Sequence, residues 1–164
     1  MTTQNIEKLL QNFNRTEADY PRDKTIIECF EEVVDKYPSN ISVVHKDDKV
    51  TYKKLNDYAN RLGWLLKRYG VSTEQIVGIF LQSGIDMITS ILGVLKTGAA
   101  YMPMASEYPE DRIIYMLKDS NTKILITSRD LLPEKDRDKF GVEVLYVEDF
   151  KSYEPLAECN RLAC

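Results

Sequence analysis

The chain has 164 residues, of which 43% are hydrophobic and 29% are charged, with a formal net charge of −4. This composition is globular, and the length suits one domain with its own core. The acidic balance argues against a nucleic-acid partner, which needs a basic patch, and no apolar run reaches the roughly 18 residues of a membrane span. The start of the chain lacks the pattern of a signal peptide, and three scattered cysteines favour a reducing cytoplasm.

The first 20 residues carry weak periodicity and are interpreted as a linker or leader. Thr25 and Glu28 have the spacing of a capping box, which predicts a helix from Ile26 to the vicinity of Pro38. A strand is predicted over residues 41–46. The cysteine on this helix, Cys29, falls on the apolar side and is expected to be a buried thiol.

The clearest helix is predicted between Thr51, a plausible N-cap, and Gly70, a plausible C′ glycine, because one continuous apolar stripe connects them. The segment IVGIFL at residues 76–81 is apolar on both faces, which is typical of a central strand in a parallel sheet. Residues 83–96 predict a helix that is buried on more than one side.

The second half of the chain continues the alternation. Residues 100–104 and 123–127 predict strands, and Pro109 is expected to be the first residue of the helix between them. A charged helix is predicted over residues 129–139 and a last strand over 143–147. We place the domain at residues 21–150, followed by a tail at 151–164.

Alternating strands and helices predict βαβ units, so the fold class is α/β, with a mostly parallel sheet and helices on both faces. Nucleotide binding is the first function that such a sheet suggests, but each of the seven glycines stands alone, without a phosphate-binding loop. The single histidine, His45, is interpreted as a structural or surface residue of a predicted strand, because no G-x-S-x-G motif accompanies it. These patterns by themselves give no active site.

Two segments resemble core motifs of the adenylation domains of nonribosomal peptide synthetases. The first, V-T-Y-K-K-L-N at residues 50–56 with A-N-R-L at 59–62, resembles the family's L-T-Y-x-E-L-N…A-N-x-L. The second, L-K-T-G-A-A-Y-M-P at residues 95–103 with E-Y-P-E-D-R-I at 107–113, resembles L-K-A-G-x-A-Y-V-P-x-D-P-x-Y-P-x-x-R-I. The residues that carry the resemblance are Thr51, Tyr52, Leu55, Asn60, Leu95, Lys96, Gly98, Ala100, Tyr101, Pro103, Tyr108, Pro109 and Arg112.

The resemblance covers about residues 12–150 and implies an incomplete N-terminal part of the adenylate-forming enzyme fold. It implies that the complete enzyme uses Mg-ATP to form an aminoacyl adenylate and loads the amino acid onto a carrier-domain phosphopantetheine thiol. ATP and Mg²⁺ are therefore the implied cofactors of the complete enzyme. The implied partners are the remainder of the adenylation domain and the carrier and condensation domains of a synthetase.

The family's phosphate loop, its substrate-binding and ribose-binding aspartates and its catalytic lysine match no position in this sequence. We therefore expect no catalytic, cofactor-binding or metal-binding residue in this chain, and no adenylation by the chain alone. The motif residues are expected to build a scaffold instead. An incomplete sheet would also expose a strand edge and the apolar flank of the helix near residues 85–95, which predicts self-association or poor solubility.

The sequence departs from the family at Ala105-Ser106, where the family has Asp-Pro, and at Lys54, where it has Glu. Ser106 could supply the lost turn-stabilising side chain, and Lys54 is expected on a solvated helix face. Two alternatives stay open. One is a non-catalytic remnant that serves as a linker or docking module, and the other is part of an acyl-CoA or aryl-acid ligase.

Overall fold

A computed structural model describes residues 12–152. The larger of its two sheets contains four parallel strands in the order β4-β3-β5-β6. The strands are β1 (Ile41–His45), β2 (Asp48–Thr51), β3 (Ile76–Phe80), β4 (Ala100–Met104), β5 (Ile124–Thr127) and β6 (Glu143–Tyr146). After residue 25 the helices of the described part are α1 (Ile26–Lys36), α2 (Tyr52–Arg68), α3 (Ile85–Leu95), α4 (Glu110–Asp119), a 3₁₀ helix (Glu134–Phe140) and α5 (Val147–Ser152).

The predicted α/β class, with helices on both faces of a parallel sheet, is confirmed. Strands β3 and β5 are the two central strands, and their apolar side chains pack against helices on both faces of the sheet. One face is covered by buried side chains of α2, α3 and α5: Leu62, Leu66, Val94 and Phe150. The other face is covered by buried side chains of α4 and the 3₁₀ helix: Ile113, Leu117 and Phe140.

The two predicted N-caps are confirmed. The Glu28 N–H donates to Thr25 Oγ1 at 3.2 Å while the Thr25 N–H donates to Glu28 Oε2 at 2.6 Å, so the capping box at α1 is complete. At α2 the Lys54 N–H donates to Thr51 Oγ1 at 3.3 Å. Both helices therefore begin where an oxygen side chain satisfies a backbone donor that has no partner within the helix.

The antiparallel pair β1–β2 is a hairpin in which His45 pairs with Asp48 across two loop residues. The strand β2 has no counterpart in the sequence analysis. Only Val50 of β2 is buried, at 3% exposure, and its first two residues are exposed and charged. A strand with one buried position has no alternation that sequence analysis can detect.

Three local predictions were wrong. The charged segment at residues 129–139 is not one helix but a loop followed by a 3₁₀ helix, whose N-cap is Pro133. Pro109 is the N-cap of α4 rather than its first helical residue. The flank of α3 is also less exposed than expected, because Ile88 is its only exposed apolar side chain, at 39%.

The domain boundaries at residues 20 and 150 stay predictions, because residues 1–11 of the leader and 153–164 of the tail lie outside the described residues. Two of the three cysteines lie there as well. The third, Cys29, is half-buried rather than fully buried. Among the described helices, none combines the length and apolar character that crossing a membrane requires.

Candidate functional site

A cavity among the described residues lies where the order of the sheet reverses. The chain passes from β3 to β4 on one side and then returns to place β5 on the other side of β3. In open α/β sheets, ligands bind in the crevice outside the carboxyl ends of the strands at such a point. The loops that follow β3 and β5, residues 81–84 and 128–131, line a cavity of about 480 Å³ there.

Charged side chains of both signs line this cavity, which we call the switch-point cavity. They come from the hairpin, from the first turns of α2 and α3, from the loop after β5 and from α5. They are Asp48, Lys49, Lys54, Asp86, Asp130, Glu148 and Lys151, and the half-buried His45 lies on the same wall. Because acidic and basic side chains are mixed, the electrostatic potential in the cavity is neither uniformly positive nor uniformly negative.

Helix α5 is fixed against the cavity by contacts on two sides. The Arg61 guanidinium of α2 donates from Nη1 to the Lys151 carbonyl at 3.1 Å. The Lys151 ammonium forms an ion pair with Asp86, in the first turn of α3. Two apolar residues of α5, Val147 and Phe150, are only 2% and 1% exposed. The helix is therefore a fixed wall of the cavity.

A buried hydroxyl links the two central strands just before the loops that line the cavity. Thr127, the last residue of β5, is fully buried and donates from Oγ1 to the Phe80 carbonyl, the last of β3, at 2.8 Å. The two residues are register partners. This side-chain bond joins the central strands at their carboxyl ends, where the loops of the cavity begin.

Beside the cavity, Arg129 holds the loop after β5 to the start of α5. Its Nε donates to Glu134 at 2.9 Å, its Nη2 donates to Asp149 at 3.1 Å, and its Cζ lies 4.6 Å from the centroid of the Tyr146 ring. The hydrogen bond to Asp149, followed by that to Glu134, raises the pKa of Arg129. Burial raises the pKa of the Tyr146 phenol.

A second depression, of about 550 Å³, lies outside the carboxyl ends of β3 and β4 and shares the residues 81–83 with the first. Two of the motif residues line it, Pro103 and Tyr108. The Arg112 guanidinium stacks on the Tyr108 ring at 4.1 Å from its centroid. The Ser106 hydroxyl donates to Glu107 Oε1 at 2.9 Å, so its bond is to a neighbouring carboxylate.

The remaining motif residues are dispersed through the scaffold, and none of the thirteen lines the switch-point cavity. Thr51 caps α2, Asn60 and Leu55 are buried at 2% exposure, and Gly98 takes a φ of +81° after α3. Lys96 is fully buried in an ion pair with Glu31 of α1. Their observed contacts are those of a scaffold, while their role in function stays a prediction.

Sequence analysis missed most of the cavity wall. Lys54 is exposed, as predicted, but it also lines the cavity and lies 5.6 Å from the Tyr58 ring centroid. Asp86 and Lys151 are 65 residues apart in the sequence, and no local pattern links them. Only the rule that ligands bind where the strand order of an open α/β sheet reverses could have located this cavity. Applying the rule requires the strand order, which is known only from the structure.

The described wall residues include neither a metal-ligand cluster nor a glycine-rich loop. No group of three or more His, Cys, Asp or Glu side chains in residues 12–152 could hold a metal ion. The loops at residues 81–84 and 128–131 contain a single glycine, Gly84, so they form no glycine-rich cradle for phosphates.

The fold is an open α/β fold, with a four-stranded parallel sheet and helices on both faces. The chain belongs to the AMP-binding enzyme family, whose model matches residues 30–163. It is 47% identical over 122 residues to bacitracin synthase 3 of Bacillus licheniformis, covering 74% of this chain and 2% of that one. It is 42% identical over 130 residues to gramicidin S synthase 1 of Brevibacillus brevis, covering 79% and 12% respectively.

Solved structures agree with the fold. The nonribosomal peptide synthetase FmoA3 in its AMPPNP-bound form matches with a TM-score of 0.75 at 24% identity, over 95% of this chain and 16% of that chain. The O-succinylbenzoate coenzyme A synthetase of Bacillus subtilis, in complex with AMP, matches with a TM-score of 0.68 at 17% identity, over 77% and 33%. The chain therefore spans a small part of the length of the proteins it matches.

Proposed function

We propose that this chain forms the N-terminal part of an amino-acid-activating adenylation domain in a nonribosomal peptide synthetase. The observation that carries the proposal is its identity of 36–47% to bacitracin and gramicidin S synthases over most of its length. The complete domain would use Mg-ATP to make an aminoacyl adenylate. It would then pass the amino acid to a carrier domain, with a condensation domain as a further partner.

Within that domain, the role of this chain is to build and hold the sheet. The motif residues support this role through their contacts: Thr51 starts α2, Lys96 anchors α1, and Arg112 stacks on Tyr108. Positioning and electrostatic stabilisation supply most of the catalysis in phosphate chemistry, and they require groups beyond those of the switch-point cavity.

The chain alone is therefore expected to lack adenylation activity. The test is ATP–pyrophosphate exchange with the purified 164-residue chain across a panel of amino acids. The proposal predicts no amino-acid-dependent exchange above a heat-unfolded control. Exchange with one amino acid would show a phosphate site that this account lacks.

The fold does not separate peptide synthetases from acyl-CoA ligases, since proteins of both kinds match it at TM-scores of 0.75 and 0.68. Sequence favours the synthetase branch, because the relatives at 36–47% identity include bacitracin and gramicidin S synthases. The Ala105-Ser106 departure supports a different candidate, a remnant that acts as a linker or docking module. A reading frame that continues after Cys164 into a Gly/Ser/Thr-rich loop would exclude that candidate.

A further inference from the structure

Strand β4 forms one edge of the four-stranded sheet. It pairs with β3 on one side, and no strand among residues 12–152 pairs with its other side. Three of its five residues are exposed, among them Tyr101 at 40%. Such an edge offers unpaired N–H and C=O groups to any extended segment, including the same strand of a second copy.

The register of β4 decides which of its backbone groups face outward. Ala100 pairs with Ile76, and its N–H donates to the Gln75 carbonyl at 2.8 Å. Along a parallel strand, alternate residues direct both backbone groups to the same neighbour. Ala100 and the residues two and four positions later therefore face β3, while Tyr101 and Pro103 face outward.

Pro103 thus occupies an outward position. Its missing N–H therefore removes no hydrogen bond between β4 and β3. On the free side, however, it removes one of the only two outward donors of β4. Within sheets, proline is confined to positions of this kind. We propose that Pro103 closes the β4 edge to strand addition. The self-association expected from the sequence stays a prediction, and by this proposal it must use another surface.

The test restores the missing donor in two ways. Pro103→Val and Pro103→Thr both add an N–H and favour strand geometry, but they differ in hydrophobicity. Pro21→Val is the matched control, because Pro21 is exposed and lies outside any strand. Sedimentation velocity over a hundredfold concentration range measures association, and amide hydrogen exchange at Tyr101 reports whether the outward edge is paired. Trp64 fluorescence checks that each variant is folded.

Both position-103 variants are expected to associate through the β4 edge at concentrations where the wild type and Pro21→Val do not, since a symmetric edge contact regains one hydrogen bond per copy, worth roughly tenfold in the association constant. The Tyr101 amide should become protected in the associated variants and stay unprotected in the wild type. A folded pair of variants that associate no more than the wild type would overturn the proposal. Association of the valine variant without the threonine variant would also overturn it. A wild-type Tyr101 amide that became protected as the protein concentration rises would overturn it as well.

Discussion

Lys96, at the end of α3, forms an ion pair with Glu31 of α1, and its side chain is fully buried while that of Glu31 is 22% exposed. The two residues are 65 positions apart in the sequence. Lysine is almost never fully buried unless it is paired, so the position of α1 depends on a charge inside the scaffold. The lysine of the second motif thus makes an anchoring contact within the scaffold, while its role in function stays a prediction.

The first prediction removes one partner at a time. Glu31→Gln leaves a buried ammonium without its carboxylate and should lower the free energy of unfolding by about 2–4 kcal/mol. Lys96→Met should cost less, because the carboxylate of Glu31 can reach water. Urea unfolding followed by Trp64 fluorescence measures both, since Trp64 is the only tryptophan. Equal losses in the two variants would argue against a buried charge as the cause.

The second prediction concerns the turn after α3. Gly98 has a φ of +81°, and a Cβ added there would lie 3.0 Å from Thr73 Oγ1. Gly70 has a φ of +82° after α2, but an added Cβ would meet nothing within 4 Å. Gly70→Ala should cost about 1 kcal/mol for the left-handed backbone, and Gly98→Ala about 2 kcal/mol for backbone and crowding together. If urea unfolding gave both variants a similar loss of unfolding free energy, the Thr73 side chain would be able to move away from the added Cβ without a measurable cost.

The third prediction tests the bond that joins β5 to β3. Thr127→Val keeps the shape but removes the buried hydroxyl that donates to the Phe80 carbonyl, which should cost about 1 kcal/mol. Ser90→Ala is the matched control: Ser90 is fully buried, and its Oγ has no hydrogen-bond partner in the described part of the chain. Its removal should be neutral or stabilising in the same unfolding experiment. A loss from Ser90→Ala as large as that from Thr127→Val would contradict this distinction.

The fourth prediction is a pH dependence at the start of α1. The Thr25 backbone N–H, followed by its side chain, lowers the pKa of Glu28. A lowered pKa means that the ionised carboxylate stabilises the folded chain above the unfolded pKa, near 4.3 for glutamate, and that this contribution is lost as the pH falls further. Thermal unfolding between pH 6 and pH 3 should therefore depend on pH less steeply in Glu28→Gln than in the wild type. If the unfolding temperatures of the wild type and Glu28→Gln depended on pH equally steeply, Glu28 would not contribute to the pH dependence of stability.

Sequence analysis located the elements whose patterns are strong. The capping box at Thr25 and the double-sided apolar run of β3 each predicted their element within a residue or two, because short-range hydrogen bonds and burial determine them. The segment at 129–139 failed because its charges alternate without an apolar period. There the chain is held by tertiary contacts of Arg129 that no local pattern encodes.

The site was less predictable than the fold for the same reason. The family motifs lie in the scaffold, so the residues that are easiest to match do not line the switch-point cavity. Its wall depends on pairs such as Asp86 with Lys151, which are 65 residues apart in the sequence and are brought together by the tertiary fold.

The most direct test of the central claim, that this chain is the working scaffold of an adenylation domain, is a segment exchange. Residues 12–152 would replace the matching segment of gramicidin S synthase 1, which is 42% identical over 130 residues. Amino-acid-dependent ATP–pyrophosphate exchange would then be measured in the chimera and the parent. The account predicts that the chimera keeps exchange within about tenfold of the parent, a barrier change of about 1.4 kcal/mol. A folded chimera without exchange would contradict it and favour the remnant.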